Sequence, residues 1–387
     1  MTEPHSRLGQ YQTRTVMQET VRAFVPPKLP PVPPLNMTPR LVVVARASHP
    51  CLGALGWFSR FIARCQPIYM YVRKEALLSS QIEGTQSSLT DLLLYENAAV
   101  PGVPLDDVQE VSKYVAAMTH GLARLRGDFP LSSRLIREIH EVLMQSARGG
   151  DKSPGEFRRS QNWLGGTRPG NAVFVPPPPE LVLDLMSDLE KFFYDQSLPT
   201  LVKAALAHVQ FETIHPFLDG NGRTGRLLIT FLLCADGVLS QPILYLSLYF
   251  KSNRTQYYEL LQRVRTEGIW ETWLEFFLQG VFETATSAVQ ATKSMLALFA
   301  EDRLKIEALG RGASSALRLH HQLQRQPMLD INSAVTTLKL STPTIAKAMS
   351  QLETLGVVRE TTSRPRDRLW VYNRYFELLA QGTEPIF

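Results

Sequence analysis

The hydrophobic pattern of this chain is mostly helical. Apolar residues recur every three or four positions in successive windows, a spacing that places them on one face of an α-helix. The windows are Leu52 to Tyr95, Leu105 to Leu125, Ser132 to Arg148, Glu180 to Gln196, Pro199 to Glu212, Gly225 to Asp236, Arg254 to Thr266 and Trp270 to Glu301. This pattern predicts an all-α architecture for most of the chain.

Two segments interrupt the helical periodicity. Val25 to Pro34 is rich in proline, which lacks an amide donor and fixes φ, so neither a helix nor a central strand is expected. We expect it to lie as an extended tether along its own domain, with a short SH3-type ligand as the alternative. Between Arg158 and Val175, Gly-Gly and Pro-Gly-Asn steps separate short apolar runs, which favours a β-hairpin.

The last part of the chain has a different pattern. Ile331 to Leu338 and Pro343 to Leu355 are predicted helices separated by a short polar step. Val357 to Glu360 and Arg368 to Tyr372 are predicted strands that flank a turn at 361–367. Two helices followed by a strand pair predict a winged helix-turn-helix domain.

The composition is that of an ordinary globular protein. Of 387 residues 44% are hydrophobic, and the net charge of +5 suits anionic partners such as nucleotides without identifying a nucleic-acid binder. Cys51, Cys65 and Cys234 lack the spacing of a disulfide framework or a zinc site. Neither an export leader nor a membrane span is indicated. We therefore expect a cytoplasmic protein that does not bind membranes.

The central chemical signal is the segment HPFLDGNGRTGR from His215 to Arg226, which lies between two predicted helices. Gly220, Gly222 and Gly225 let the backbone turn tightly and approach a phosphate, and the start of the following helix supplies amide donors. The glycines also satisfy G-x-G-x-x-G, but the preceding segment is helical, and no Walker loop occurs in the sequence. The dinucleotide-binding and P-loop folds are therefore excluded.

The side chains of this loop have complementary chemistry. A neutral His215 can accept the proton of a hydroxyl near pH 7, and Asp219 can hold Mg²⁺ against phosphate oxygens. Arg223 and Arg226 can share one helical face and pair with phosphates. Together these groups predict in-line displacement at phosphorus. A metal-hydrolase site was the alternative, because Glu212 and His215 form an E-x-x-H step, but a second such step is absent from the sequence.

Residues 215–226 resemble the signature H-P-F-x-D-G-N-G-R-x-G-R of Fic-domain proteins at every specified position. The segments GEFR at 155–158, HVQFETI at 208–214 and FVPPP at 174–178 are also similar to that family. The resemblance covers roughly residues 15–290. It implies a Fic-like helical domain with a β-hairpin flap, followed by the winged helix as an accessory domain.

The resemblance implies an enzyme that moves AMP from ATP onto a Ser, Thr or Tyr hydroxyl of a protein, including itself. In the family mechanism His215 is the general base and Asp219 binds Mg²⁺. An extended segment of the target protein pairs with the flap at 162–175. The implied nucleotide-binding residues are Gly220, Asn221, Gly222, Arg223, Thr224, Gly225 and Arg226, with Tyr257 and Tyr258 near the adenine.

A second match, SSQIEG at 79–84, is similar to the inhibitory motif [ST]-x-x-x-E-[GN] of the family. Ser79 and Glu83 are one helical turn apart, and the resemblance implies that Glu83 pairs with Arg226 where a γ-phosphate would bind. The enzyme would then be inhibited by its own N-terminal helix. These predictions divide the chain into an N-terminal region at 1–100, a catalytic core at 101–300 and a winged-helix domain at 301–387.

Three questions stay open at the level of sequence. The chain is alternatively a DNA-binding regulator with a nucleotide-sensing Fic-like domain, or an enzyme that removes AMP, in which Glu83 would orient a water. The winged helix has either DNA or a protein as its partner, and a second copy of the chain is a further candidate partner. The arginines that favour DNA are Arg359, Arg364, Arg366 and Arg368.

Overall fold

The computed structural model describes residues 7–39, 41–44, 46–47, 53, 68–97, 104–145, 152–361 and 368–385. Within them the chain is mostly helical, as predicted. The helices are α1 (Ile68–Ile82), α2 (Leu89–Glu96), α3 (Leu105–Arg126), α4 (Ser133–Leu143), α5 (Val182–Phe193), α6 (Thr200–Ile214), α7 (Asn221–Ala235), α8 (Ser247–Ser252), α9 (Arg254–Glu267), α10 (Trp270–Glu307), α11 (Ala313–Arg325), α12 (Ile331–Leu338), α13 (Thr342–Thr354) and α14 (Asn373–Ala380). The strands are β1 (Gln10–Val16), β2 (Glu19–Val25), β3 (Met328–Asp330), β4 (Val358–Glu360) and β5 (Leu369–Tyr372).

The centre of the hydrophobic core is α6. Every residue from Leu201 to Ile214 is buried, as expected of a helix that other elements surround on all sides. Trp273 of α10 donates its indole N–H to the carbonyl oxygen of Ala205 at 2.9 Å. The C-terminal end of α6 leads directly into the loop at 215–220, so that loop starts from a fully buried helix. Among the described residues, the search for a helix both long and apolar enough to span a bilayer finds none.

The N-terminal residues form a β-hairpin that the sequence pattern did not predict. Strands β1 and β2 are antiparallel, with Thr13 opposite Arg22. The turn between them uses Met17 and Gln18, both at positive φ (48° and 67°). Glycine and asparagine are the usual residues of such a turn, and their absence explains why the hairpin was missed.

The proline-rich segment runs along its own domain, which confirms the tether prediction. Residues 26–34 contain neither helix nor strand. The carbonyl oxygen of Pro27 accepts a hydrogen bond from the side-chain amide of Gln210 at 2.8 Å, and Arg7 donates to the carbonyl oxygen of Pro33 at 2.8 Å. Leu29 packs against the main core.

The predicted hairpin between Arg158 and Val175 is wrong in extent. Among the described residues of this segment, only Leu164 and Phe174 form a strand-like bridge. A short 3₁₀ turn, Pro169–Asn171, forms its tip. Proline fixes φ and cannot donate to a ladder, so strand pairing stops there. The segment is a flap with one bridge rather than a regular hairpin.

The helical windows are confirmed, with changes at their ends. The first window contains two helices, α1 and α2, because Ser88 and Asp91 form a capping box that starts a new helix. Residues 54–67 of that window lie outside the described residues, as do 146–148 of the window that contains α4. Helix α7 begins at Asn221, four residues before its predicted start, because the glycine-rich stretch already belongs to its first turn.

The C-terminal part is a small sheet with helices. Its strand order is β3-β5-β4, with both pairs antiparallel and Arg359 opposite Val371. The hydroxyl of Tyr372 donates to Asp302 of the long helix α10 at 2.8 Å, which connects the two parts. The predicted helices and strands lie within one residue of the observed ones. Residues 362–367 of the predicted turn lie outside the described part of the chain.

Candidate active site around the loop 215–226

His215 lies where the buried helix α6 ends. Its backbone is left-handed, with φ 49° and ψ 60°, and its N–H donates to the carbonyl oxygen of Phe211 at 2.9 Å. A left-handed residue turns the chain sharply out of a helix, and residues other than glycine adopt it only where surrounding contacts hold them. The imidazole is half-buried, and its Nδ1 is enclosed without a partner among the described residues.

The loop is folded around a buried aromatic ring. Phe217 is fully buried and stacks on His140 at a centroid distance of 3.6 Å. The Asn221 side chain accepts from the N–H of Phe217 and donates to its carbonyl oxygen, both at 2.9 Å. His140 accepts the N–H of Gly155 at Nδ1, so its Nε2 carries the proton and donates to the carbonyl oxygen of Asp219 at 3.0 Å. The protein's own hydrogen bonds therefore set the shape of the loop.

Two glycines open the start of α7 to an anion. Gly220 has φ 73°, and a Cβ there would lie 2.7 Å from Sδ of Met144. A Cβ on Gly222 would lie only 2.2 Å from Oε1 of Glu83. The first amides of a helix have no partner within it, and the helix dipole favours negative charge there. In this turn the hydroxyl of Thr224 is also buried without a described partner.

Arg226 is almost completely buried and is held by α1. Its Nη2 pairs with Oε1 of Glu83 at 2.5 Å and donates to the carbonyl oxygen of Ser79 at 3.0 Å. Its Nε donates to the hydroxyl of Ser79 at 2.8 Å. The contact predicted between Glu83 and Arg226 is present. The third nitrogen, Nη1, has no partner in the part of the chain that the structure describes, so a donor is left for an anion.

Arg223 is held by a carboxylate that sequence reasoning missed. Its Nη1 lies 3.5 Å from Oε2 of Glu110 on α3, and its Nη2 lies 3.9 Å from Oδ1 of Asp219. Glu110 also accepts the hydroxyl of Thr85, just beyond α1, at 3.2 Å. Nothing in the sequence marks Glu110, because charged residues are ordinary on an amphipathic helix. Both arginines of the loop thus face carboxylates from the N-terminal half of the chain.

Burial sets the ionisation states in the site. Burial, and then the positive charges of Arg265 and Arg158, lower the pKa of His215 to about 3. The imidazole is therefore neutral near pH 7, the state in which it can accept a proton. Burial raises the pKa of Glu212 to about 7, and the charge of Arg226 opposes this.

Asp219 is the exposed carboxylate of the loop. Its side chain is 51% exposed, and its Oδ1 accepts the N–H of Gly220 at 2.6 Å. An exposed carboxylate in this loop can hold a Mg²⁺ ion that is also bound by phosphate oxygens, because oxygen ligands are those that Mg²⁺ prefers. Asp219 therefore fits the metal role that the sequence predicted for it.

The structure separates the two tyrosines predicted to lie near the adenine. Tyr257 is fully buried, and its hydroxyl donates to Nε2 of His208 at 2.9 Å. Nδ1 of His208 in turn donates to the carbonyl oxygen of Gly225 at 3.0 Å. Tyr257 thus supports the loop from the core and does not face an open site in this conformation. Tyr258 is 39% exposed and stays the predicted neighbour of the adenine.

The flap, residues 162–175, is held beside the N-terminal hairpin. Leu164 donates its N–H to the carbonyl oxygen of Phe174 at 2.8 Å, and Phe174 donates back at 3.1 Å. Arg168 of the flap pairs with Glu19 of β2 at 2.9 Å. The hairpin β1–β2 therefore positions the flap, a role that the sequence did not indicate because neither strand was predicted.

Comparison with known proteins identifies the same segments. Residues 130–233 match the sequence profile described as Fic/DOC family, and residues 52–123 match the profile described as Fic/DOC family N-terminal. The first match contains the whole loop at 215–226. The second contains Ser79 and Glu83.

Proteins named protein adenylyltransferase Fic are among those similar to this chain. Protein adenylyltransferase Fic of Drosophila erecta is 32% identical over 222 residues, 55% of this chain and 41% of that protein. The protein of the same name from Aedes aegypti is 34% identical over 224 residues, with coverages of 55% and 41%. The chain thus spans about two fifths of the length of these relatives.

A Fic family protein from Desulfovibrio desulfuricans G20 has a similar structure. The superposition gives a TM-score of 0.58 at 20% sequence identity and covers 88% of this chain and 98% of that one. At this level of identity the similarity shows the fold alone. The mostly helical fold predicted from the sequence is the Fic-domain fold.

Proposed function

We propose that this Fic/DOC family protein transfers AMP from ATP to a Ser, Thr or Tyr hydroxyl of a protein, itself included. The observation that carries the proposal is the pairing of a neutral His215 with a glycine-lined helix N-terminus and two buried arginines in one loop. The names of the relatives from Drosophila erecta and Aedes aegypti support AMP as the transferred group.

The reaction is a displacement at the α-phosphorus of ATP. His215 takes the proton of the attacking hydroxyl, the hydroxyl oxygen forms a bond to the α-phosphorus, and the bond from that phosphorus to the bridging oxygen breaks. Pyrophosphate leaves with the electron pair of that bond, and the proton remains on His215. Asp219 would hold the Mg²⁺ that neutralises charge on the leaving group.

The arginines bind the phosphates that leave. Arg226 has a free Nη1 beside Gly222, and a Cβ on that glycine would lie 3.2 Å from this nitrogen. A phosphate oxygen over Gly222 would therefore reach both the helix amides and the guanidinium. Arg223 would bind the second phosphate in place of its 3.5 Å contact with Glu110.

We propose that Glu83 inhibits the enzyme from within. Its carboxylate lies 2.5 Å from Arg226 and over Gly222, where the terminal phosphate would bind. A carboxylate and a phosphate cannot share that volume, and each repels the other. ATP would then bind with its α-phosphate out of line with the hydroxyl, and the resting protein would transfer little AMP.

The target protein would dock at the flap as an extended segment. Among the described residues the flap has a single strand bridge, so it is not part of a regular sheet that would exclude a target strand. Val173 at its edge is 70% exposed and offers an apolar contact to such a segment.

We also propose that residues 301–387 form a winged-helix domain whose α13 contacts DNA. Lys347 lies on the exposed face of α13, and the helix has no carboxylate before Glu353. Lys347→Glu should weaken binding to double-stranded DNA about tenfold at low salt, whereas Lys293→Glu, an exposed charge reversal on α10, should not. Fluorescence anisotropy measures both. Equal binding by the two variants would favour a protein partner.

The transfer reaction is tested with ATP labelled on the α-phosphate. Wild type, Glu83→Gly and Glu83→Gly/His215→Ala are incubated with Mg²⁺ and labelled ATP, and protein-bound label is located by mass spectrometry. Glu83→Gly should label at least about tenfold faster than wild type, since a hydrogen bond between charged groups contributes about 1.5–3 kcal/mol. The double variant should transfer AMP about 10²- to 10⁴-fold more slowly than Glu83→Gly.

Three outcomes would contradict the proposal. Equal labelling by the double variant would exclude His215 as the base. Absence of label from every variant would exclude self-modification, and release of AMP from an adenylylated protein by wild type but not by Glu83→Gly would identify the reverse reaction.

A further inference from the structure

Two buried arginines converge on the end of α6. Arg158, which precedes the flap, is 3% exposed. Its Nε donates to the carbonyl oxygen of His215 at 2.9 Å, its Nη2 to that of Ile214 at 3.4 Å, and its backbone N–H to that of Pro216 at 2.9 Å. One residue thus binds three consecutive carbonyl groups around the left-handed turn.

The same guanidinium binds both ends of the flap. Nη1 donates to the carbonyl oxygen of Ser160 at 3.2 Å, and Nη2 donates to that of Pro177 at 2.5 Å. Ser160 precedes the flap and Pro177 follows it. A lysine has the same charge but not the planar fork of five donors, so it cannot reproduce this set of contacts.

Arg265 of α9 approaches the same helix end from the other side. Its Nε donates to the hydroxyl of Thr213 at 3.1 Å and its Nη2 to the carbonyl oxygen of Glu212 at 3.2 Å. Its guanidinium also lies over the ring of Phe174, with Cζ 4.0 Å from the centroid. Phe174 is one member of the only strand bridge described in the flap. Arg265 therefore also connects the end of α6 to the flap.

The hydrogen-bond partners of the two arginines are all uncharged. They are backbone carbonyls, one threonine hydroxyl and the amide oxygen of Gln262. Burying two guanidinium groups on neutral partners is costly. The carboxylates of Glu180 and Glu212 act on these charges without a hydrogen bond, so what the two arginines contribute directly to the turn and the flap is the fork geometry of their donors.

We infer that Arg158 and Arg265 are positioning residues that hold His215 and the flap in one fixed arrangement. This inference rests on the proposed function, because it takes His215 as the base and the flap as the target site. The transferred AMP sits between a base and a strand from different parts of the chain, and an error of about 1 Å between reacting groups can cost about 10²-fold in rate. Neither arginine touches the reacting atoms.

The arginines also set the charge that His215 experiences. Burial is the largest cause of the lowered pKa of His215; Arg265 of α9 and Arg158 beside the flap lower it further, while the backbone of Glu212 on α6 raises it. Replacing either arginine by glutamine should therefore move the titration of His215 to higher pH. Replacing it by lysine keeps the charge and should leave that titration in place.

The test separates the positive charge of each arginine from the fork geometry of its donors, and all variants are made in the Glu83→Gly background. The variants are Arg158→Lys, Arg158→Gln, Arg265→Lys and Arg265→Gln, with Arg159→Lys and Arg263→Lys as controls on exposed arginines. AMP transfer is measured as kcat and as KM for ATP. All four test variants should lose about 10- to 100-fold in kcat with KM changed less than about threefold, and the controls should match the parent.

A second readout does not depend on activity. The histidines are labelled with ¹³C, the signal of His215 is assigned with His215→Asn, and its titration is followed by NMR. In the parent and the lysine variants, His215 should stay neutral down to about pH 5. In the glutamine variants, its protonation should begin at a pH at least about half a unit higher than in the parent.

The outcomes separate the inference from the proposed function. If no variant transfers AMP, the proposed function fails, and the NMR titration alone decides the inference. Lysine variants that transfer within twofold of the parent, or glutamine variants in which His215 titrates as in the parent, would overturn it. Thermal unfolding of each variant identifies any that does not fold, and the lysine variant at that position then decides.

Discussion

The two ends of the loop at 215–226 are held in different ways. At the first end, His215 and the turn after it are fixed by backbone hydrogen bonds to buried side chains, with Arg158 and Asn221 as the main contributors. At the second end, Arg226 is held by side chains from a separate helix, Ser79 and Glu83 of α1. The first arrangement leaves the imidazole of His215 free to meet a ligand. In the second arrangement, Ser79 and Glu83 already contact the guanidinium of Arg226.

This difference assigns different parts to the two ends. Contacts to backbone carbonyls do not compete with a ligand, because they use atoms that a nucleotide would not touch. A carboxylate on a guanidinium competes directly with phosphate, since both accept the same N–H donors. Under the proposed function, the His215 end would act as a fixed catalytic site and the Arg226 end as a switch.

The largest expected effect breaks the fixed end. Phe217 is fully buried against His140, and Phe217→Ala should lower the free energy of unfolding by about 3–5 kcal/mol, as large-to-small core substitutions do. Leu218→Ala, at the half-buried neighbouring position, is the control and should cost much less. Urea unfolding measures both. A cost below about 1 kcal/mol for Phe217→Ala would mean that the ring does not organise the loop.

A smaller effect tests how closely Glu83 fits the switch end. A Cβ on Gly222 would lie 2.2 Å from Oε1 of Glu83, so Gly222→Ala should destabilise wild type more than it destabilises Glu83→Gly. The coupling free energy from urea unfolding of the four proteins should be about 1–2 kcal/mol, and the cycle cancels the change in helix propensity. Gly127→Ala has no close contact and should be additive with Glu83→Gly. If the effects of Gly222→Ala and Glu83→Gly on the free energy of unfolding were additive, the Glu83 carboxylate would not lie over Gly222 in solution.

The loop could be predicted because its residues are contiguous. Helix, glycine turn and helix follow one another between His208 and Asp236, and each part has a local signature. The approach of Glu83 to Arg226 spans 143 residues, and only the resemblance to a family motif predicted it. Spacing along the chain contains no information on such a contact.

The elements that were missed depend on tertiary context. Arg158 lies in the GEFR segment whose resemblance was noted, but its contacts with the turn at His215 appear only when the flap folds back. The burial of Tyr257 could not be predicted, because an aromatic on an amphipathic helix faces either a ligand or the core. The hairpin β1–β2 lacks turn residues of the usual type, and contacts with the flap such as Glu19 with Arg168 appear only in the folded structure.

Ser79 and Glu83 both contact Arg226, and a substitution of Ser79 separates their contributions. Ser79→Ala removes the hydroxyl that accepts from Nε of Arg226 but leaves the carbonyl contact and Glu83 in place. AMP transfer should rise about three- to tenfold, less than with Glu83→Gly, because a single hydrogen bond contributes about 0.5–1.5 kcal/mol. Ser80→Ala is the matched control, since that buried hydroxyl has no partner among the described residues, and its rate should equal that of wild type. If Ser79→Ala transferred AMP at the same rate as Ser80→Ala, the restraint on Arg226 would come from Glu83 and not from the Ser79 hydroxyl.

The smallest expected effect is a pH dependence that stays flat. Burial and two arginines lower the pKa of His215 to about 3, so the free base is present throughout the range from pH 5.5 to 7.5. A histidine with its ordinary pKa of about 6.5 would be only about 10% neutral at pH 5.5. For Glu83→Gly, the ionisation of His215 should therefore change kcat/KM for ATP less than about twofold across this range, because that ratio reports the ionisation of the free enzyme.

ATP binding has its own pH dependence, which a second variant isolates. Glu83→Gly/His215→Ala retains the loop and the arginines, so its affinity for ATP, measured by calorimetry at the same pH values, gives the part of the profile that does not come from the base. A limb in kcat/KM that rises with a midpoint near pH 6.5, is absent from this binding curve and remains after Glu212→Gln would belong to His215, since burial raises the pKa of Glu212 to about 7. Its surroundings would then not suppress protonation, and the contrast between the two ends of the loop would rest on geometry alone.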